Sequence, residues 1–173
     1  MMTATYRAAQ FVWHLCARVS PEEQGLAHYL LPPPLAALFD RMPRADRRHA
    51  LDVFHALRSQ GYDDPDLLAA ALLHDIAKAN GLPLLYRVAI VLVRALAPGW
   101  LNRLDRKESW WRHAFHISLH HPQIGAEMIA AVGGNNRLTH FVRHHEAPRA
   151  AGDDLPPEDI ALLEAFHRLD NRH

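Results

Sequence analysis

Apolar residues recur along the chain with the spacing of helices, and prolines and glycines separate one apolar segment from the next. Ala50, Leu51, Phe54 and Leu57 show the pattern, because positions three or four residues apart lie on one face of a helix. No stretch alternates with the period of two that a half-buried strand would show. The sequence therefore predicts an all-α fold in a single domain over residues 1–173.

Capping signals predict where several of these helices begin and end. Ser20, Pro21 and Glu23 combine an N-cap, a proline at the first helical position and a carboxylate in capping-box position. Asp64-Pro65 opens another helix in the same way, and Gly133-Gly134 predicts a loop. The predicted helices cover residues 3–19, 21–31, 35–42, 44–60, 66–79, 84–97, 110–120, 123–132, 137–145 and 158–170.

Composition narrows the classes of protein. The chain of 173 residues carries 19 basic and 19 acidic residues, so there is no whole-protein field that favours nucleic acid, and no stable nucleic-acid binding is expected. A single cysteine, Cys16, excludes an internal disulfide and a cysteine-based zinc site. The 14 histidines equal Phe, Trp and Tyr together, and this surplus indicates metal or acid–base chemistry.

The sequence predicts no signal peptide and no transmembrane helix. The N-terminal region lacks an unbroken apolar core. The most apolar stretch, residues 82–101, is interrupted by Pro83, Arg87, Arg94 and Pro98, whereas a spanning helix needs about 20 mostly apolar residues. A cytoplasmic protein is expected, and assembly with further copies of itself is compatible with the sequence.

An adjacent histidine and aspartate stand near the end of an apolar helix, in Leu72-Leu73-His74-Asp75-Ile76. Burying a carboxylate is costly unless the group is paired or bound to a metal ion. Lys78, three residues further on, projects close to the same place. The alternative to a metal site here is a buried structural pair.

Further candidate ligands lie at intervals before and after this pair. His49 stands near the start of a long helix, and His121 precedes Pro122 in the segment HPQIGAE. A histidine pair followed by glutamate ends a later helix, and Asp170 lies near the end of the last one. Imidazole and carboxylate groups are the ligands that divalent transition metals prefer in proteins.

In this order the residues resemble the motifs of the HD-domain metal-dependent phosphohydrolase superfamily over roughly residues 44–170. That family's pattern of His, His-Asp and Asp matches His49, His74-Asp75 and Asp170. The motif HDIGK of some members matches His74 to Lys78, with alanine in the place of its glycine.

The resemblance implies a helical bundle that aims these side chains at one metal centre. Residues 3–43 would be an N-terminal helical elaboration and residues 82–118 an inserted helical segment. The first ion would be held by His49, His74, Asp75 and Asp170. Asp75 would bridge to a second ion held by His121, His144 and His145. One or two divalent ions of Mn, Fe, Co, Ni or Zn are expected, with Lys78 contacting a phosphate oxygen.

Two choices between neighbouring histidines stay open at this point. His120 competes with His121 for the position before Pro122. One residue of the pair His144-His145 could be the ligand while the other supports it from outside the first shell. Glu146 is a further candidate for such a supporting role.

By resemblance the activity is hydrolysis of a phosphomonoester, phosphodiester or nucleotide by metal-activated water, with Asp75 and Lys78 as catalytic residues. Residues 147–150 lack the Gly-Tyr-Pro loop of cyclic-dinucleotide phosphodiesterases, which argues against that substrate. The alternatives are a metal-bearing domain that senses a ligand and regulates with little catalysis, and a di-iron oxygenase.

Overall fold

The structure is a computed structural model that describes residues 18–79, 110–148 and 155–172, and these residues form α-helices without any strand. The prediction of an all-α fold is confirmed. Residues 3–17 of the predicted helix over 3–19, the whole predicted helix over 84–97 and the inserted segment up to residue 109 lie outside the described residues. The helices are α1 (Pro21–Leu30), α2 (Pro33–Arg41), α3 (Arg44–Ser59), α4 (Pro65–Leu73), α5 (Trp110–Ala131), α6 (Asn136–His144) and α7 (Pro157–Asp170).

Helix α1 begins at the predicted capping box. The Ser20 hydroxyl accepts a hydrogen bond from the Glu23 amide at 3.2 Å, and the Glu23 carboxylate accepts one from the Ser20 amide at 3.0 Å. Two amides that have no partner inside the helix are thereby satisfied. None of the helices within the described ranges is both long enough and apolar enough to cross a bilayer.

The predicted helix over residues 66–79 is interrupted, and the interruption falls on the His-Asp pair. Helix α4 ends at Leu73, and a short 3-10 helix (Ile76–Ala79) follows. The His74 ring bonds through Nδ1 to the Ala71 carbonyl at 3.0 Å, so it competes with the backbone for that acceptor. His74 and Asp75 lie in this break, and both are buried.

A second correction concerns Pro122, at which two separate helices were predicted. Helix α5 instead continues through it from Trp110 to Ala131. Proline removes one backbone donor, but α5 packs along both α6 and the 3-10 helix, and this packing retains the helix across the lost bond. His121 therefore lies in mid-helix and not at a helix end.

The predicted loop at Gly133-Gly134 joins α5 to α6 and brings α6 back along α5. Gly133 has a φ of +89°, a conformation that side chains rarely adopt. Its amide bonds to the Ala130 carbonyl at 3.0 Å, and the Gly134 amide bonds to the Ile129 carbonyl at 2.9 Å, which is a Schellman ending. The end of α6 thereby returns to the level of His121.

The hydrophobic core within the described residues is formed by inward faces of α1 to α7. Leu51, Leu72, Ile129, Phe141 and Phe166 are among its fully buried side chains. The core packs directly beneath the break after α4, since Phe166 lies 5.5 Å from His74 between ring centroids. A rigid apolar base therefore supports the polar side chains described below.

Arg137 ties three helices together at the opposite end of α4. Its guanidinium donates two bonds to Asp159 on α7, at 2.7 and 3.0 Å, and one to Asp64 at 2.8 Å. Asp66 accepts a further bond at 3.2 Å. Asp64 is also the N-cap of α4, where it accepts from the Leu67 amide at 3.0 Å. The hydrogen bonds that the Asp159 carboxylate accepts are the largest cause of the raised Arg137 pKa.

Replacing Arg137 with methionine should lower the free energy of unfolding by about 1–3 kcal/mol, since it leaves the Asp159 carboxylate without its cation. The Asp159 side chain is 6% exposed, whereas Arg137 is 34% exposed, so solvent offsets part of the loss. Urea denaturation measures the change. The free energy of unfolding of Arg137→Lys should lie between those of wild type and Arg137→Met, because one ammonium cannot bridge three carboxylates. Equal stability of wild type and Arg137→Met would contradict this role.

Candidate metal centre

Side chains from five parts of the chain converge at the break after α4. They come from α3, the break itself, α5, the residue after α6 and the end of α7. Among the described residues, three overlapping groups have ligand atoms within 4.8 Å of one another: His49–His74–Asp75, His74–His145–Asp170 and Asp75–His121–His145. Six of the seven metal ligands predicted from the sequence therefore lie together.

The spacing of these ligand atoms suits a small cation. Asp170 Oδ1 lies 2.9 Å from His49 Nε2 and 3.3 Å from His74 Nε2. Asp75 Oδ1 lies 3.6 Å from both His74 Nε2 and His121 Nε2. Tetrahedral ligand atoms at about 2.1 Å from an ion are about 3.4 Å apart, so these side chains would need to move little to bind a metal ion.

Backbone carbonyls fix two of the imidazole rings. His74 Nδ1 donates to the Ala71 carbonyl at 3.0 Å, and His145 Nδ1 donates to the Val142 carbonyl at 2.6 Å. A carbonyl only accepts, so Nδ1 keeps its proton in both rings and Nε2 is the nitrogen that can bind a metal ion. Ligand histidines in metalloproteins are held in this way.

The buried atoms His74 Nε2 and Asp75 Oδ1 face charged groups at the centre. His74 Nε2 lies 3.3 Å from Asp170 Oδ1, and Asp75 Oδ1 lies 2.7 Å from Lys78 Nζ. The residues are 1% and 5% exposed. The two atoms also face one another across 3.6 Å, so a cation between them could bind both. The donor set of imidazole and carboxylate also fits a divalent transition metal.

Both aspartates of the centre are anionic at neutral pH. Burial would raise the Asp75 pKa, but the charges of Lys78 and His74 outweigh it and hold the pKa well below its ordinary value. Burial likewise opposes ionisation of Asp170, but the His74 charge and bonds from His49 and His74 lower its pKa. The centre therefore presents two carboxylates to a cation.

The pKa values of the two buried histidines His74 and His145 are shifted in opposite directions. Burial would lower the His74 pKa, but Asp75 and Asp170 raise it to about 9. Burial and the positive charge of His74 lower the His145 pKa to about 4. His145 is therefore a neutral ligand already at pH 7, whereas His74 must first release a proton.

Metal affinity should rise with pH up to about 9, because a metal ion and a proton compete for His74. Without metal, protonated His74 stabilises the fold fully below its ordinary pKa of 6.5, and this contribution is lost as pH rises through about 9. Binding at pH 7 should therefore release a proton. Calorimetry in buffers of different ionisation enthalpy measures it. Binding without proton release, with a flat affinity from pH 6.5 to 9, would contradict the assignment.

The geometry shows which histidine of each neighbouring pair, His120-His121 and His144-His145, lies at the centre. His121 and His145 are each 1% exposed and belong to the groups. His120 is half-buried, with its ring 4.5 Å from that of His116. His144 is also half-buried, 6.1 Å from the His140 ring. No group within the described residues includes His144, so its prediction as a ligand finds no support here.

Lys78 and Glu146 lie at the edge of the centre. Lys78 Nζ is 2.7 Å from Asp75 Oδ1, with 26% of the lysine side chain exposed. Glu146 Oε1 is 3.6 Å from His121 Nε2, with 40% of the glutamate side chain exposed. Both residues thus lie between buried ligands and solvent.

An open cleft of about 240 Å³ begins at Asp170 and is lined also by Glu146, His167 and Asn171. His167 and Asn171 were not predicted as site residues. For His167 the sequence offers one indication, its spacing: it precedes Asp170 by three residues and therefore shares its face of α7. The cleft gives the centre access to solvent.

Comparison of the chain with protein-family models, with curated proteins and with solved structures finds no significant match in any of the three. The geometry itself shows buried histidine and aspartate groups that could hold a metal ion.

Proposed function

We propose that the protein is a metal-dependent phosphohydrolase. The observation that carries the proposal is the position of Asp75, which belongs to two of the three ligand groups and is ion-paired with Lys78 at 2.7 Å. A carboxylate shared between ligand sets, with a cation beside it, suits a centre that binds a phosphate ester. The order of the motifs along the chain, which resembles that of HD-domain phosphohydrolases, supports the same reading.

Two sets of residues would hold the ions. The first would be His49, His74, Asp75 and Asp170, and the second would be Asp75, His121 and His145. This donor set suits Mn, Fe, Co, Ni or Zn. Such ions, when bound, lower the pKa of a water molecule and polarise a phosphoryl oxygen.

Lys78 would bind the phosphate. Burial would lower its pKa, but the Asp75 carboxylate outweighs burial and raises it, so the ammonium stays charged at neutral pH. Lys78 is partly exposed beside the buried ligands, so a phosphate oxygen can reach it from solvent. Asp75 would hold the ammonium in place and also serve as a ligand.

The open cleft would admit the remainder of the substrate. Glu146 and Asn171 line it, and their side-chain oxygens are hydrogen-bond acceptors. A phosphomonoester, a phosphodiester or a nucleotide is the proposed substrate class. The proposal includes a cytoplasmic protein that acts on small phosphorylated molecules without stable binding to nucleic acid.

Metal-loaded protein should release phosphate from an aryl phosphate or from members of a nucleotide panel. The rate should exceed that of chelator-treated protein by at least about 100-fold, equivalent to about 2.7 kcal/mol in the barrier, and should return when metal is restored. A colorimetric phosphate assay measures it. Metal-loaded protein that releases no phosphate from any of these compounds would contradict the hydrolase and favour a ligand-sensing domain.

A further inference from the structure

His167 connects the two helices that carry His145 and Asp170. It lies on α7 one turn before Asp170, and its Nδ1 is 2.8 Å from the main-chain carbonyl of His145. His145 is the C-cap residue that follows α6, and carbonyls at this end of a helix have no partner inside it. Because a carbonyl only accepts, the His167 Nδ1–H donates this bond.

Asn171 contacts the face of the same ring. Its Nδ2 donates to the His167 carbonyl at 2.8 Å and lies at similar distances from both ring nitrogens, 3.1 Å from Nε2 and 3.4 Å from Nδ1. An atom at such similar distances from both nitrogens lies over the ring and not in line with either lone pair. The bond to the His145 carbonyl is therefore the contact that places a proton on His167 Nδ1.

The carbonyl that His167 holds belongs to a residue with little remaining freedom. The His145 ring donates to the Val142 carbonyl at 2.6 Å and stacks on Phe166, the neighbour of His167, with centroids 5.9 Å apart. The same ring lies 5.0 Å from His74 and 5.2 Å from His121, between centroids. Holding the main chain of His145 thus sets the depth at which its Nε2 enters the centre.

We propose that His167 is a positioning residue of the metal centre, acting through the main chain of His145. One hydrogen bond keeps the end of α6 against the turn of α7 that carries Asp170, so two ligands from different helices stay at a fixed separation. This inference rests on the proposed metal centre but not on the reaction. Groups that orient metal ligands without contacting the ion themselves typically contribute about 10–100-fold to metal affinity.

Two amide variants test the role of the Nδ1 donor. The amide nitrogen of asparagine takes approximately the place of imidazole Nδ1, whereas that of glutamine lies one bond further out. Cobalt-loaded protein gives a dissociation constant and a visible absorption spectrum that reports ligand geometry. We expect His167→Asn to keep the wild-type affinity and spectrum. We expect His167→Gln to weaken cobalt binding by about 10–100-fold and to alter the spectrum.

A matched control is His140→Gln, which changes a half-buried histidine of α6 that belongs to no ligand group within the described residues. It should bind cobalt like wild type. The inference is overturned if both His167 variants bind like wild type, or if both are weakened equally. Wild-type protein that binds no cobalt would overturn the metal centre itself, so the two failures are distinguishable.

Discussion

Asp75→Asn will abolish metal binding and phosphate release together. Asparagine keeps the shape of the side chain but removes the charge from a residue whose Oδ1 lies 3.6 Å from both His74 Nε2 and His121 Nε2. Since supporting residues alone contribute about 10–100-fold to metal affinity, loss of a ligand common to two groups should reduce affinity and activity by more than about 100-fold. Metal content and phosphate release are measured on the same preparations.

The same substitution also leaves positive charge in a buried place. Lys78 lies 2.7 Å from Asp75, and the carboxylate is the main reason that the His74 pKa is raised. Asp52→Asn is a matched control, because Asp52 pairs with Arg48 on α3 and belongs to no group in the described ranges. It should retain metal and activity. Full activity of Asp75→Asn would contradict the assignment of the site.

The second large effect is expected at His145, and its neighbour provides the control. His145→Leu removes a buried ligand common to two of the three groups and should reduce metal affinity and activity by more than about 100-fold. His144→Leu removes the adjacent imidazole, which is half-buried and belongs to none of the groups in the described chain. It should leave both properties near their wild-type values.

Both leucine variants are compared by metal content, by phosphate release and by thermal unfolding without metal. The unfolding measurement shows whether a loss of metal follows from a loss of fold. The reverse pattern, with His144 essential and His145 dispensable, would place the ligand on the other residue. It would also contradict the inward position of the His145 ring.

The sequence predicted most of the centre through the order of its histidine and aspartate motifs, which resembles that of HD-domain phosphohydrolases. His49, His74-Asp75, His121 and Asp170 each stand at or near a helix end or next to a proline, and the structure brings them together. The choice between His144 and His145 was beyond the sequence. Adjacent residues point about 100° apart on a helix, so the choice depends on where α6 ends and how it packs.

The break after α4 was not predictable from propensity. The apolar residues before His74 favour a continuous helix, and only the bond between its ring and the Ala71 carbonyl reveals the competition with the backbone. At Pro122 the error is the reverse: the proline predicts a helix boundary, but tertiary packing keeps α5 helical across it. Both errors fall beside metal-ligand candidates, where local preference and function compete.

His167 escaped the sequence analysis for a different reason. Its partner is a main-chain carbonyl 22 residues away, and no residue type marks a carbonyl. Spacing from Asp170 places His167 on the same face of α7, but it does not show what that face meets. Contacts of side chains with distant backbone require the packed structure.

Anomalous scattering from crystals of metal-loaded protein, combined with metal content, tests the central claim most directly. The account predicts an ion about 2.0–2.2 Å from Asp75 and His74, with a second ion at His121 and His145 if two metals are bound per chain. A content of about one metal ion per chain would support only the first set of ligands, His49, His74, Asp75 and Asp170. Protein without metal, or an ion bound only elsewhere, such as at the His116–His120 pair, would contradict the account.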